Sequence, residues 1–411
     1  MAHLAVPDHR VIQPRTELPL RITITDGNER ASLAVVRSLG QAGHAVSVCA
    51  SQPRPLAGAS RYASAVWQLP DALTEPEAFA TRLAERCEEA DTEVLIPISE
   101  ASLLAVLPWR DQFRAAIPFA SASVFERVCD KFLVLKTAES LGLAVPHQIV
   151  IESKNQTLLL PADFTFPAVL KPARSVAISG NRIRSSVSYA KSYGEALAEL
   201  DRTPDNAYPV LIQRLIEGPG MAISVLVWNG ELRAAFSHRR ITEKPPTGGV
   251  SVLCESIPLD RELLDRSLEL LRQFEWQGVA MIEYKVDLAT GTPFLMEING
   301  RFWGSLQLAI DSGVDFPALL VEASMGKPLP PVSSYDVGTR LRWDWGNIDS
   351  LLTSLRQGGR YRGLPGAPGR LEAISRFLRS FGNNAHSEIM RRDDPRPFIR
   401  ESIEWARRIL P

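Results

Sequence analysis

The sequence predicts a mixed α/β and α+β chain: a doubly wound N-terminal unit over 19–118, an α+β region over 119–330, and a mostly helical, Arg-rich extension over 331–411. Three observations carry this reading. Leu20–Thr25 is a short β-rich run ending at Asp26-Gly27-Asn28, followed by apolar residues at helical spacing (Ala31, Leu33, Val35, Val36, Leu39) and a second β-rich run, Ala45–Cys49. Strand, turn, helix and strand in that order build a parallel sheet. Further on, Val279–Asp287 and Phe294–Asn299 alternate in hydrophobicity around turn residues, as the arms of a hairpin do. The Pro-rich stretch Lys327–Tyr335 then marks a boundary.

Bulk properties narrow the class. A chain of 411 residues with 45% hydrophobic and 23% charged residues is long enough for several cores and has the composition of a globular protein. A formal net charge of −1 gives no sign of a polyanion partner, so no nucleic acid is expected. Cys49, Cys87, Cys129 and Cys254 are scattered without a C-x-x-C pair, which reads as buried thiols in a reducing compartment. There is no signal-peptide pattern and no apolar run approaching the ~18 residues of a membrane span, so the expectation is a cytoplasmic protein. Self-association into a homo-oligomer is left open.

Along the chain, 1–18 reads as a loose leader. The Asp26-Gly27 turn lacks G-x-G-x-x-G and reads as scaffold. Glu93–Pro97 is a buried-type strand, with Ser99 and Glu100 just past its carboxyl end. They sit where open α/β sheets bind ligands, although capping of the helix Ala101–Leu107 is the favoured role. Ser123–Leu143 reads as two helices with a break near Asp130. Phe166–Lys171 is a strand that delivers Lys171, a compact positive charge suited to a phosphate. The loop 173–188 carries Arg174, Arg182 and Arg184 among small hydroxyl residues, a composition that can cover a triphosphate. Ala222–Trp228 and Leu232–His238 flank Asn229-Gly230, a strong hairpin signal. Arg239 and Arg240 follow, and since strand neighbours point to opposite faces, only one of them can face a site there. His238 reads as a hydrogen-bonded residue at the strand end.

The hairpin holds the most chemistry. Pairing Glu283 with Glu297 centres the turn on Thr290, beside Gly291, and sets Ile282 opposite Ile298, Tyr284 opposite Met296 and Val286 opposite Phe294. One face is then apolar, which fixes a register. The other presents two opposed carboxylates, with Asn299 and Arg301 beyond them. Like charges at that spacing repel, and a hard cation removes the penalty. Two carboxylates and an amide oxygen form part of a shell for Mg²⁺, with Mn²⁺ as an alternative ion. An ordinary hairpin with a solvated acidic face is the competing reading.

An acid on one strand followed by Glu-x-Asn-x-Arg on the next (Glu297, Asn299, Arg301) resembles the metal-binding signature of the ATP-grasp superfamily. The sequel Phe302–Pro317 is similar to its carbamoyl-phosphate-synthase-like, carboxylate–amine ligase branch. The resemblance covers about 119–330, and more loosely the preceding unit as a pre-ATP-grasp domain. It implies ATP held between two α+β subdomains hinged near 213–218, with Mg²⁺ on Glu283, Glu297 and Asn299. It implies phosphate contacts from Lys131 and Lys171, and it makes 173–188 the phosphate lid. At the hinge it implies an adenine contact by Gln213, with backbone groups from Arg214 and Leu215. Gly220 stands where the family often has a ribose-binding acid, which leaves Glu217 as the substitute. Arg301 and Arg240 are the implied residues at the reacting oxygens.

The activity implied is an ADP-forming ligase that activates a carboxylate as an acyl phosphate and joins it to an amine, both small molecules. The alternatives are a non-catalytic ATP-binding regulator on the same fold, and a nucleotide-independent scaffold acting through its Arg-rich C-terminus. A packed helix with a solvated basic face is the expected form of that C-terminus.

Overall fold

The computed structural model describes residues 19–176, 187–245, 248–356, 368–382 and 385–409. In the N-terminal domain β1 (Arg21–Ile24), β2 (Ala45–Ala50), β3 (Ala63–Gln68) and β4 (Val94–Ile96) form a parallel sheet in the order β3-β2-β1-β4, with α1 (Arg30–Gln41), α2 (Pro76–Glu89) and α3 (Glu100–Val106) as connections. This is the predicted doubly wound unit. The Asp26 carboxylate fixes its carboxyl edge by accepting from the Ser99 amide at 2.9 Å and from the Ser99 and Ser102 hydroxyls at 2.8 Å. Ser99 in turn caps α3, accepting from the Ser102 amide at 3.1 Å.

Helices α4 (Ala122–Cys129) and α5 (Lys131–Ser140) break at Asp130, whose carboxylate caps α5 by accepting from the Leu133 amide at 3.0 Å. Two sheets follow. The smaller contains β5 (Gln148–Ile151), β6 (Ala168–Pro172), β7 (Ser188–Ala190) and β8 (Val210–Arg214), antiparallel in the order β5-β8-β6-β7, backed by α6 (Tyr193–Arg202). It packs its own core around Ile151, Leu170, Leu200 and Ile212, separate from the main core.

The larger sheet has seven strands in the order β13-β12-β9-β10-β11-β14-β15. Its members are β9 (Gly220–Trp228), β10 (Glu231–Lys244), β11 (Val250–Ser256), β12 (Gly278–Val286), β13 (Pro293–Asn299), β14 (Arg340–Arg342) and β15 (Ala385–Ser387). Helices α7 (Arg261–Gln273), α8 (Leu306–Asp311) and α9 (Phe316–Ser324) lie between strands in the chain, and Phe236, Phe274, Trp303 and Phe316 are fully buried. Burying side chains of this size contributes roughly 2–3 kcal/mol each. Asn229 and Gly230 both take positive φ, 52° and 74°, in the tight turn between β9 and β10.

The structure corrects two expectations here. β10 runs on to Lys244, past His238, Arg239 and Arg240, which were expected to end the strand. His238 is therefore buried mid-strand, near Ser305 Oγ at 3.2 Å, and burial, with Arg240 nearby, pulls its pKa down to about 3. The extension is mostly helical, as expected, with α10 (Asp344–Leu355), α11 (Arg370–Arg379) and α12 (Arg396–Ile409), and it also supplies the last two strands of the large sheet.

That extension is tied to the N-terminal domain and to the large sheet. Arg37 of α1 is buried against Asp394, with Nε donating at 2.9 Å, and its Nη2 donates to the Ile389 carbonyl at 2.8 Å. Asp394 also accepts from Ser60 Oγ at 2.7 Å and from the Arg61 amide at 2.9 Å. Lys244 of β10 pairs with Asp349 of α10, and within the extension Trp345 stacks on Trp405 with ring centroids 4.1 Å apart. The C-terminal helix is thus packed on its own chain.

Candidate functional site

Glu283 does oppose Glu297 in the β12–β13 hairpin, with Ile282 opposite Ile298 and Met281 opposite Asn299. The expected register fails one step later. A bulge at Met296 sets Tyr284 opposite Leu295 and Val286 opposite Pro293. Tyr284 and Leu295 are buried, with Tyr284 Oη 2.7 Å from Ser267 Oγ. Met296, the extra residue, lines a cleft of about 1550 Å³ that also contains Glu283, Glu297, Asn299 and Arg301.

Strand and helix ends deliver cations to this acidic face. Lys131, the first residue of α5, places Nζ 3.5 Å from Glu297 and donates to Ser175 Oγ at 3.0 Å. Lys171 leaves β6 and reaches the Met296 carbonyl at 3.4 Å. Arg240 bonds Glu283 directly, with Glu243 at 3.3 Å and the Gly249 carbonyl at 3.1 Å. Arg239 points away to Glu255 at 2.6 Å. Arg301 Nη2 donates to Asn299 Oδ1 at 3.0 Å, and the Asn299 amide nitrogen donates to Glu283 at 2.8 Å.

The opposed carboxylates therefore do not simply repel. Burial pushes Glu297 upward, but Lys131, Lys171, Arg301 and Arg240 overcome it and hold the group at about 2. Glu283 is raised: burial and its neighbour Glu297 together exceed the opposing pull of Arg240. Lys171 is lowered to about 8 by burial, partly offset by Glu297. The face thus sets one carboxylate held ionised beside a second whose pKa is raised although it is ion-paired with Arg240, among several cations.

Among the described residues no cluster of three or more His, Cys, Asp and Glu could hold a metal. The candidate set remains Glu283, Glu297 and Asn299. Its donor chemistry fits a hard cation: a carboxylate held ionised, a second carboxyl whose raised pKa a divalent ion would reverse, and an amide within 3.4 Å of both carboxyls. Binding requires the Asn299 oxygen, which now accepts from Arg301, to turn toward the carboxylates.

The segment expected to be the hinge contributes Gln213, Arg214, Leu215 and Ile216 to the same cleft. Gln213 is buried, and its Nε2 donates to Gln148 at 2.9 Å. The Arg214 and Leu215 amides are committed within the protein, to the carbonyls of His147 at 2.9 Å and Pro167 at 3.0 Å. Gly218 follows with φ +159°, and a Cβ there would lie 1.7 Å from the Val286 carbonyl. Only glycine lets the hinge lie this close to the hairpin. Glu217 is exposed and faces a second cavity of about 440 Å³, between the hinge and helices α10 and α11. Of the expected lid, Arg174 pairs with Asp130 at 3.0 Å, while Arg182 and Arg184 lie outside the described residues.

Sequence reasoning did not assign a role to Glu243. Positions 240 and 243 of a regular strand face opposite ways, but irregularities on either side of Thr242 bring both to one face. Glu100 was read as part of a cap. Its Oε1 is buried without a hydrogen-bond partner, and burial raises its pKa against the pull of Lys131 and Arg301. Its place at the carboxyl end of β4 was the available signal.

A family described as "ATP-grasp in the biosynthetic pathway with Ter operon" matches residues 206–345. The solved L-amino acid ligase from Bacillus licheniformis superposes with a TM-score of 0.60 at 16% identity, covering 75% of each chain. The ADP complex of the N5-carboxyaminoimidazole ribonucleotide synthetase purK superposes with a TM-score of 0.62 at 14% identity, covering 89% of this chain and 98% of that one. A protein named as a urea carboxylase in Emericella nidulans is 24% identical over 181 residues, 41% of this chain. The chain spans only 14% of that relative's length. Residues 206–345 thus match a family of ATP-grasp proteins, and the chain shares the fold of these solved structures, with the Glu283–Glu297–Asn299–Arg301 face in the cleft between two separately packed sheets.

Proposed function

We propose that the protein is an ATP- and Mg²⁺-dependent, ADP-forming ligase that activates a carboxylate as an acyl phosphate and joins it to an amine. The observation that supports this best is the convergence of Lys131, Lys171, Arg240 and Arg301 on the opposed carboxylates Glu283 and Glu297 at one end of a nucleotide-sized cleft. A site that needs only positioning and charge neutralisation, with no side-chain nucleophile, suits phosphoryl transfer. The similar proteins named as an L-amino acid ligase and a carboxyaminoimidazole ribonucleotide synthetase accord with that class.

Gln213 reads the base edge through its side-chain oxygen, with the backbone carbonyls of Arg214 and Leu215 beside it, since their amides are already bonded within the protein. Lys131 and Lys171 hold the phosphates. Glu283, Glu297 and Asn299 hold Mg²⁺ (Mn²⁺ suits the same oxygen donors), which when bound neutralises charge on the transferring group. A carboxylate oxygen attacks the γ-phosphorus and ADP departs. The amine nitrogen then attacks the acyl carbon, phosphate leaves, and the nitrogen gives up a proton. Arg301 and Arg240 stabilise the oxygens that gain charge in these steps.

The test is a screen for phosphate release with ATP and Mg²⁺ over amino acids, short peptides and amino sugars, singly and in pairs. The proposal expects ADP and phosphate to accumulate when a donor and an acceptor are both present. Tight ATP–Mg²⁺ binding with no turnover over the whole panel favours the non-catalytic binder instead.

A further inference from the structure

We infer that Glu243 is the carboxylate that binds the ribose of the nucleotide, in the space that the missing side chain of Gly220 leaves open. The inference rests on the ATP-binding reading above and adds a residue to it from another strand. A Cβ built on Gly220 would lie 3.0 Å from Glu243 Oε1 and 3.0 Å from Arg240 Cδ. The start of β9 is therefore bare because the Glu243 carboxylate and the Arg240 side chain cover it.

The position of this carboxylate along the cleft gives its role. At one end, Leu215 and Ile216 of the hinge, with Val169 and Met296, form the apolar part of the wall, suited to a flat base. At the other, Lys131, Lys171 and the Glu283–Glu297 pair form the charged end, suited to phosphates. Arg240 joins the two regions, bonding Glu283 on one side and Glu243, 3.3 Å away, on the other. Glu243 thus lies one guanidinium width from the phosphate end, beside the strand that leaves the hinge. A nucleotide spanning the cleft passes its sugar there. Vicinal hydroxyls are a bidentate donor pair for a carboxylate, and such charge-assisted bonds are the strong ones. Glu217 is an alternative carboxylate close in sequence, but it lines the second cavity alone, whereas Glu243 lines both that cavity and the cleft.

Titration calorimetry with Mg²⁺ and either ATP or 2′,3′-dideoxy-ATP tests this. Hydrogen bonds to a charged group predict that the unmodified protein prefers ATP by about ten- to a hundred-fold. Glu243→Gln should bring the two affinities to within about three-fold, mainly by weakening ATP. Glu217→Gln should leave the preference intact. Gly220→Ala, which crowds the Glu243 oxygen, should also reduce the preference and gives a second route if the first variant folds poorly. If Glu243 serves only to neutralise Arg240, Glu243→Gln weakens both nucleotides equally, and that result overturns the inference. An unmodified protein that binds both nucleotides equally overturns it while leaving the ATP site standing. One that binds neither overturns both.

Discussion

Glu283 and Glu297 stand directly opposite each other across β12 and β13, yet the protein drives their acidities apart. Glu297 sits at about 2 under the pull of lysines and arginines that outweighs its burial, whereas Glu283 is raised by burial and by Glu297 itself. Burial and Glu297 thus oppose the ionisation of Glu283, which Arg240 favours. The consequences for stability and binding can be measured separately.

Glu297→Gln should destabilise the nucleotide-free protein, because it leaves Lys131 and Lys171 without their shared partner. Glu297 has a depressed folded-state pKa, so its contribution is present above the ordinary carboxylate value and fades as pH falls from about 4.5 toward about 2. After a discount for partial exposure, the loss is on the order of 1–3 kcal/mol at neutral pH. Urea unfolding of both proteins at pH 7 and pH 3.5 checks this. The gap should narrow at the lower pH, and a gap that widens there contradicts the assigned charge state.

Lys171 is held at about 8, so a fraction of it is neutral in mildly alkaline solution. Bound phosphate favours the charged form. ATP binding at pH 8.5 should then take up protons, and affinity should fall as pH rises through about 8. Calorimetry in buffers of different ionisation enthalpy measures the uptake. Lys171→Met should abolish that uptake and weaken ATP binding by about ten- to a hundred-fold, the value of a charge-assisted bond. Unchanged uptake in the variant would show that the titrating group lies elsewhere.

The C-terminal extension is predicted to be integral to the fold. Asp394 is buried and accepts from Arg37, Ser60 and the Arg61 amide, all on the N-terminal domain. Asp394→Asn leaves Arg37 buried with its charge uncompensated, which typically costs about 3–5 kcal/mol. Chemical denaturation should show that loss in the transition of the N-terminal domain. A loss below about 1 kcal/mol would make the docked extension an accessory.

The legible parts of the sequence were those set by local pattern. Alternation and turn chemistry located the β12–β13 hairpin and the Glu283–Glu297 pairing, because an apolar face forbids a one-residue slip. The Asn229-Gly230 turn and the Asp130 break were equally local. What escaped were features that strand parity cannot show. The bulge at Met296 displaced the pairing of Tyr284 and Val286, and the irregularities around Thr242 brought Glu243 to the same face as Arg240. The docking of the extension was also hidden, since its partners Arg37 and Asp394 are hundreds of residues apart in the chain.

The central claim is that a carboxylate attacks the γ-phosphorus of ATP at this cluster of cations and acids. It is tested most directly with amino acids labelled with heavy oxygen in their carboxylates, supplied with ATP, Mg²⁺ and the acceptor pool, followed by mass analysis of the phosphate and the nucleotide. The oxygen that bridges carbon and phosphorus in an acyl phosphate leaves with the phosphate when the amine attacks. The account predicts ADP as the nucleotide product and heavy oxygen in the inorganic phosphate. Heavy oxygen in AMP, with release of pyrophosphate, would contradict it, because the carboxylate would then have attacked the α-phosphorus.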